Sequence, residues 1–230
     1  MDEDSHTTFR PYHAARSDSS SDARSSARAS NLADTRARQT TARVSDDVLL
    51  DAARRCVLAV GLRRATLAEI ARTAKVSRMT LYRRFPDVRS VLSALMTREF
   101  GALLHKASAE GEDAATARER LIRSAVAAVR LLNDDELMRT VIDVDTELLM
   151  PYVVERFGGT QRIGEQVITD LVRDGQRDGS IRTGDVGLQA RTILLVVQSF
   201  VLSFRPATAE LDATALLDEL ERHLNAALRP

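Results

Sequence analysis

The stretch Thr66-Leu-Ala-Glu-Ile-Ala-Arg-Thr-Ala-Lys-Val-Ser-Arg-Met-Thr-Leu-Tyr-Arg-Arg-Phe85 decides the fold. Thr66 and Glu69 have the spacing of a capping box, in which the hydroxyl accepts from a backbone N–H of the first turn and the glutamate reaches back. Leu67, Ile70, Ala71 and Ala74 then fall on one face of a short helix. Ser77 is placed to cap a second helix after a turn through Lys75 and Val76. In that helix Leu81 and Phe85, four residues apart, point inward, and Pro86 stops it. Two short helices joined by a tight turn make a helix-turn-helix when the second can lie in the major groove of DNA.

The outward face of the second helix has the chemistry that duplex recognition needs. On an ideal helical wheel Met79, Thr80 and Arg83 point away from the partner helices, with Arg78 and Tyr82 on one flank and Arg84 on the other. The groove admits one α-helix, whose N-terminal residues approach the base edges. Arg78 can donate bidentately to guanine O6 and N7, Thr80 can bond a base or pack its methyl on thymine, and Met79 offers apolar contact. Tyr82, Arg83 and Arg84 suit phosphate oxygens, which fix orientation rather than sequence. Thr66 stands at a helix N-terminus, a natural place for a phosphate. Lys75 and Ser77, in and after the turn, complete the set. Each side chain alone reads equally as a solvated surface group. Their grouping on a helix located by two N-caps and a turn singles them out.

Upstream, Val48, Leu49, Ala52, Ala53, Cys56, Val57 and Val60 recur at helical spacing behind a candidate cap, Ser45, and the acids Asp46 and Asp47. Gly61 follows where a left-handed C-terminal cap is wanted. Downstream, Asp87 caps a longer helix with Val88, Val91, Leu92, Leu95, Met96, Phe100 and Leu103 on its apolar side. Five more helices are expected over about 115–133, 135–149, 160–178, 185–204 and 209–228. Asn133-Asp134-Asp135, Pro151, Gly158-Gly159, Gly179 with Gly184, and Pro206 separate them. The expected fold is all-α with about nine helices: a disordered tail over 1–44, a helix-turn-helix domain over 45–92 and a helical body over 93–230.

Hydrophobic residues make up 44% of the 230, enough for a sizeable core, and scarce Gly and Pro favour helices over sheets. The zero net charge conceals an asymmetry: residues 45–106 carry 12 Lys and Arg against 6 Asp and Glu, and residues 107–230 carry 14 against 21. That pattern fits a polyanion meeting only the first segment, although ordinary solvated charge gives the same count. The polar tail lacks the apolar content to fold, and its arginines either touch DNA or are merely solvated.

The longest apolar run, Ile193 to Phe204, is interrupted by Gln198, Ser199 and Ser203, short of the roughly 20 apolar residues of a membrane span. With a polar amino terminus, a cytoplasmic location and no membrane partner are expected. The single Cys56 excludes an intramolecular disulfide and reads as a redox sensor or, more simply, a small buried helix residue. His105 and His223 lack companions at i+3 or i+4, so no metal is expected. Asp143, Asp145 and Glu147 could bind a cation or form an acid–base pair; a solvated face with salt bridges is the simpler reading. Without a nucleophile–base pair or a glycine-rich phosphate loop, neither an enzyme nor a cofactor is expected.

The set Leu50-Asp-Ala-Ala53, Gly61, Thr66, Ile70-Ala71, Ala74, Val76-Ser77 and Leu81-Tyr82-x-x-Phe85 resembles the TetR family of bacterial regulators over about residues 45–95. The resemblance implies an N-terminal DNA-binding domain, a C-terminal domain that binds a small ligand and dimerises, and repression released by that ligand. Three positions depart from the family pattern. Lys75 stands where glycine is usual; at positive φ it costs on the order of 1 kcal/mol relative to Gly. Arg84 replaces the usual His, and Val88 the usual Lys, with Arg89 next door as a stand-in. Lys75 and Val88 suggest an alternative, a helical protein–protein module that has lost DNA binding.

In the resembled family the last two helices of each subunit form a four-helix bundle with the partner's. Ile193, Val197 and Val201, with Leu217, Leu220 and Leu224, are the candidate interface, although burial within one chain explains these stripes equally well. A pocket between the middle helices would be lined by Phe100, Leu104, Met138, Ile142, Tyr152, Phe157, Gln198 and Phe200, each of which also reads as plain core. Their apolar character points to a hydrophobic ligand. Gln198 needs a hydrogen-bond partner if buried, and a neighbouring helix serves as well as a ligand. The expected partners are double-stranded DNA with a palindromic operator, a small-molecule effector and a second copy of the chain.

Overall fold

The computed structural model describes residues 45–144 and 157–230. The tail 1–44, Pro151, Tyr152, Asp145, Glu147 and the side chain of Asp143 lie outside the described residues. Among the described residues there are nine α-helices: α1 Asp46–Val60, α2 Leu67–Thr73, α3 Arg78–Arg84, α4 Val88–Ala109, α5 Ala117–Asp134, α6 Glu136–Val144, α7 Gly159–Arg177, α8 Val186–Ala207 and α9 Ala213–Leu228.

Most of these helices begin for a local reason. Thr66, Ser77, Asp87, Thr116, Asp185 and Asp212 each accept, through a side-chain oxygen, from a backbone N–H in the first turn of the helix that follows. Asp135 does the same for the Met138 N–H at the start of α6, at 2.9 Å. Gly61, at φ 83°, follows α1.

Two boundaries differ from the sequence reading. α8 runs on through Pro206 to Ala207 instead of breaking there. In a last turn proline removes only one N–H, and the Thr208 N–H closes the helix on the carbonyls of Phe204 and Pro206. α9 starts at Ala213 instead of 209, because Asp212 supplies the cap. Val48, counted on the apolar stripe of α1, is 45% exposed.

The head is built from α1, α2, α3 and the start of α4. α1 packs on α2 and α4, and α2 on α3. Leu49, Leu50, Ala52, Ala53 and Val57 of α1, Ile70 and Ala71 of α2, Leu81 of α3, and Val91 and Leu95 of α4 are all buried. Cys56 is buried too, with its Sγ 3.3 Å from Thr73 Oγ1. The body is organised around α5, which packs against α4, α6, α7, α8 and α9. Its Leu121, Ile122, Ala125 and Val129 share one core with Val172, Ile181, Ile193, Val197, Leu220, Leu224 and Leu228. Each large aliphatic chain in such a core contributes about 1.5–3 kcal/mol.

The candidate dimer-interface residues contribute to that core. Ile193, Val197, Leu220 and Leu224 are buried inside their own chain, and Val201 and Leu217 are partly buried against the same cluster. The physical reason is that α8 and α9 turn their regular apolar stripes toward α5. The opposite face of α8 carries Leu188, Thr192, Leu195 and Ser199, all exposed, and the half-buried Leu202. By length and composition α8 is apolar enough to cross a bilayer, which a count of uninterrupted apolar residues had missed; 28% of its most apolar stretch is buried.

Head and body share α4, within which the expected division at 92/93 falls. A group of charges also joins them. Arg54 of α1 donates to Glu99 of α4 at 3.3 Å and to Asp135, at the start of α6, at 3.4 Å. Arg98 joins Glu99 to Asp51 of α1.

Candidate nucleic-acid interface

The turn between α2 and α3 is set by its backbone. Lys75 is at φ 56°, the only non-glycine residue at positive φ among the described residues. Its N–H donates to the Arg72 carbonyl at 3.1 Å and the Val76 N–H donates to the Ala71 carbonyl at 3.0 Å. These two bonds form a complete Schellman closure of α2, with lysine where glycine is usual. Ser77 then caps α3: its Oγ accepts from the Thr80 N–H at 3.1 Å and lies 2.8 Å from the Thr80 hydroxyl. At the other cap, Thr66 Oγ1 accepts from the Glu69 N–H and donates to Glu69 Oε2, both at 3.2 Å. The glutamate therefore reaches the Thr66 hydroxyl, a different atom from the backbone N–H of a capping box.

Leu81 is fully buried and Phe85 is 9% exposed, so the inner face of α3 is anchored as its spacing predicts. Arg78, Met79, Tyr82 and Arg83 are exposed on the other side, Met79 by 76%. Arg78, Arg83 and Lys75, with Arg89 on α4, have no ion-pair partner among the described residues. Arg84 differs. Its Nε and Nη2 donate to the two carboxylate oxygens of Asp46 at 2.5 Å each. That guanidinium holds the Asp46 carboxyl below the usual carboxylate range. Val88 is half-buried, consistent with its place on the apolar side of α4.

A cleft of about 630 Å³ runs along α2 and the turn into the start of α3. Thr66 and Arg78 line it, together with Arg64 and Arg72. The sequence reading did not single out these two arginines. Arg64 lies two residues before Thr66, the cap of α2. Arg72 is shared with Glu69 at 3.7 Å.

Residues 49–95 match the family model of bacterial regulatory proteins of the tetR family. The chain is 38% identical over 180 residues to an uncharacterized HTH-type transcriptional regulator of Mycobacterium bovis, covering 78% of this chain and 92% of that protein. The chain belongs to the tetR family of bacterial regulatory proteins. It is a DNA-binding transcription regulator. Its fold is similar to that of the fatty acid degradation regulator FadR from Bacillus halodurans, with a TM-score of 0.59 and 22% identity over 80% of this chain and 96% of that one. FadR from Bacillus subtilis, solved in complex with stearoyl-CoA, gives a TM-score of 0.58 and 20% identity over 80% of this chain and 100% of that one.

In the body of this TetR-family regulator, the candidate ligand positions have varied surroundings. Met138 is buried, while Phe100, Ile142 and Phe157 are half-buried. Leu104 packs against Ala107, Ala127 and Ala128, and Phe200 against the α5 core. The guanidinium of Arg191 lies over the Phe157 ring, 4.1 Å from its centre, and donates to Glu165 at 2.6 Å. Gln198 accepts from Gln161 Nε2 at 2.6 Å, so a neighbouring helix supplies its partner.

Proposed function

We propose that this regulator binds a palindromic operator as a homodimer and represses transcription until a small hydrophobic ligand releases it. The observation that carries the DNA reading is the exposed face of α3, held by Leu81 and Phe85 from behind and presenting cations without ion-pair partners among the described residues. Arg78, Met79 and Thr80 would meet base edges. Thr66, Lys75, Ser77, Tyr82, Arg83 and Arg89 would meet phosphates and fix the register. The working division is a head over 45–92 and a body over 93–230, acting in the cytoplasm where the operator is.

Selection from random duplexes tests this reading. A palindrome or near-palindrome is expected, with half-sites about 34–36 Å apart or a multiple of that spacing. Unrelated sequences alone would count against the assignment. Arg78→Ala should relax base preference at one position by about 1–3 kcal/mol of discrimination.

The dimer reading rests on the outer face of α8. Leu188, Thr192, Leu195, Ser199 and Leu202 repeat at spacings of three and four, and Leu188 and Leu195 are 71% and 50% exposed. A second copy of α8, packed antiparallel or nearly so, would cover this face. The effector reading rests on the apolar set around α4, α6 and α8, with Gln161 and Gln198 as its polar groups. FadR from Bacillus subtilis in complex with stearoyl-CoA makes long-chain acyl compounds the first class to titrate. A binding compound should raise the melting temperature and lower operator affinity together.

A further inference from the structure

We propose that Asp46 is a positioning residue for DNA binding, which grips Arg84 side-on and withholds from the phosphate backbone one of the cations that α3 carries. This rests on α3 as the DNA-binding helix and specifies how its affinity is set.

Arg84 is the last residue of α3, and Asp46, 38 positions earlier, is the first of α1. Nε and Nη2 donate to Oδ1 and Oδ2, both at 2.5 Å. This fork-on-fork arrangement is the one by which a guanidinium takes a phosphate, so a DNA oxygen must displace the carboxylate to use it. The two side chains are 62% and 42% exposed, which leaves the pair within reach of a duplex lying on α3. An exposed pair of this kind adds little to folding. Its effect falls on whatever competes for the guanidinium. Arg78 and Arg83, on the same helix, have no such partner among the described residues. The recognition helix therefore presents two bare cations and one that is already neutralised.

The test uses the full chain and mixed-sequence duplex DNA, with affinity followed by fluorescence anisotropy as salt rises. Each phosphate that a protein neutralises steepens the dependence of log K on log salt by about 0.9. Asp46→Asn frees Arg84, so binding should tighten at low salt and the slope should steepen by about 0.9 per bound protomer. A fourfold rise in salt would then weaken the variant more than the wild type by about 3.5-fold for each bound protomer, about 12-fold for a dimer. The double variant Asp46→Asn with Arg84→Gln should return to the wild-type slope. An Asp46→Asn slope equal to the wild type would overturn the proposal, and so would a double variant shallower than wild type by about 0.9. An unchanged Asp46→Asn slope means that freeing Arg84 adds no phosphate contact, and a shallower double variant means that Arg84 already sits on a phosphate in the wild type. Circular dichroism melts verify folding; should Asp46→Asn be unfolded, comparing wild type with the double variant decides alone. Failure of the α3 assignment itself looks different, because Arg83→Gln would then leave both affinity and slope unchanged.

Discussion

Lys75 has the least comfortable backbone described in this chain. At φ 56° its Cβ crowds the following carbonyl, a conformation in which glycine carries no such penalty. Both Schellman bonds of α2 form nonetheless, so the strain is tolerated in return for a turn that aims α3 outward. Lys75→Gly should raise unfolding free energy by about 0.5–1 kcal/mol in urea titration, with the α2–α3 geometry unchanged. Asp178 offers a second test at this scale. The side chain of Ser180 and the backbone N–H of Ala117 hold its carboxyl below the usual carboxylate range. A carboxyl depressed in the folded state stabilises above its unfolded pKa, and that contribution is lost as pH falls through the folded value. Asp178→Asn, which keeps an accepting oxygen but loses the charge, should therefore lower the melting temperature near neutral pH. The gap from wild type should close in acid, as melts across a pH series would show.

At the scale of elements, α7 lies very close to the loop leading to α8 at Gly175. A Cβ on Gly175 would lie 2.4 Å from Ile181 Cδ1 and 3.0 Å from Ile181 Cβ. Ile181 cannot retreat easily: it is 2% exposed and its N–H donates to the Gly175 carbonyl at 2.8 Å. Alanine at 175 gains helix propensity of up to about 1 kcal/mol, yet overpacking of this kind costs about 1–3 kcal/mol. The expected net effect of Gly175→Ala is destabilisation, read as a lower urea midpoint.

For the whole molecule, the exposed apolar face of α8 is the feature that asks for a partner. Leu195→Glu places a charge at the middle of that face without touching the α5 core. On the proposed dimer, sedimentation is expected to show the wild type as a dimer and the variant as a monomer, and operator affinity should fall because two half-sites are no longer engaged together. A dimer that survives Leu195→Glu would place the interface elsewhere. The Arg54–Glu99–Asp135 group gives the same molecule a physical connection between head and body. One arginine on α1 is shared by the helix that crosses the boundary and by the cap of α6.

The head was legible almost residue by residue, because caps and apolar spacing act over three or four positions. Thr66, Ser77 and Asp87 as caps, Leu81 and Phe85 as anchors, and the outward set on α3 all follow from such short-range rules. The body was legible only as a count and character of helices. Periodicity shows that α8 and α9 each have an apolar face but says nothing of what it meets; packing around α5 decided that Ile193, Val197, Leu220 and Leu224 belong to their own chain. The fate of Arg84 was decided the same way. Its partner lies 38 residues distant, and only the docking of α3 beside the start of α1 brings carboxylate and guanidinium within bonding distance.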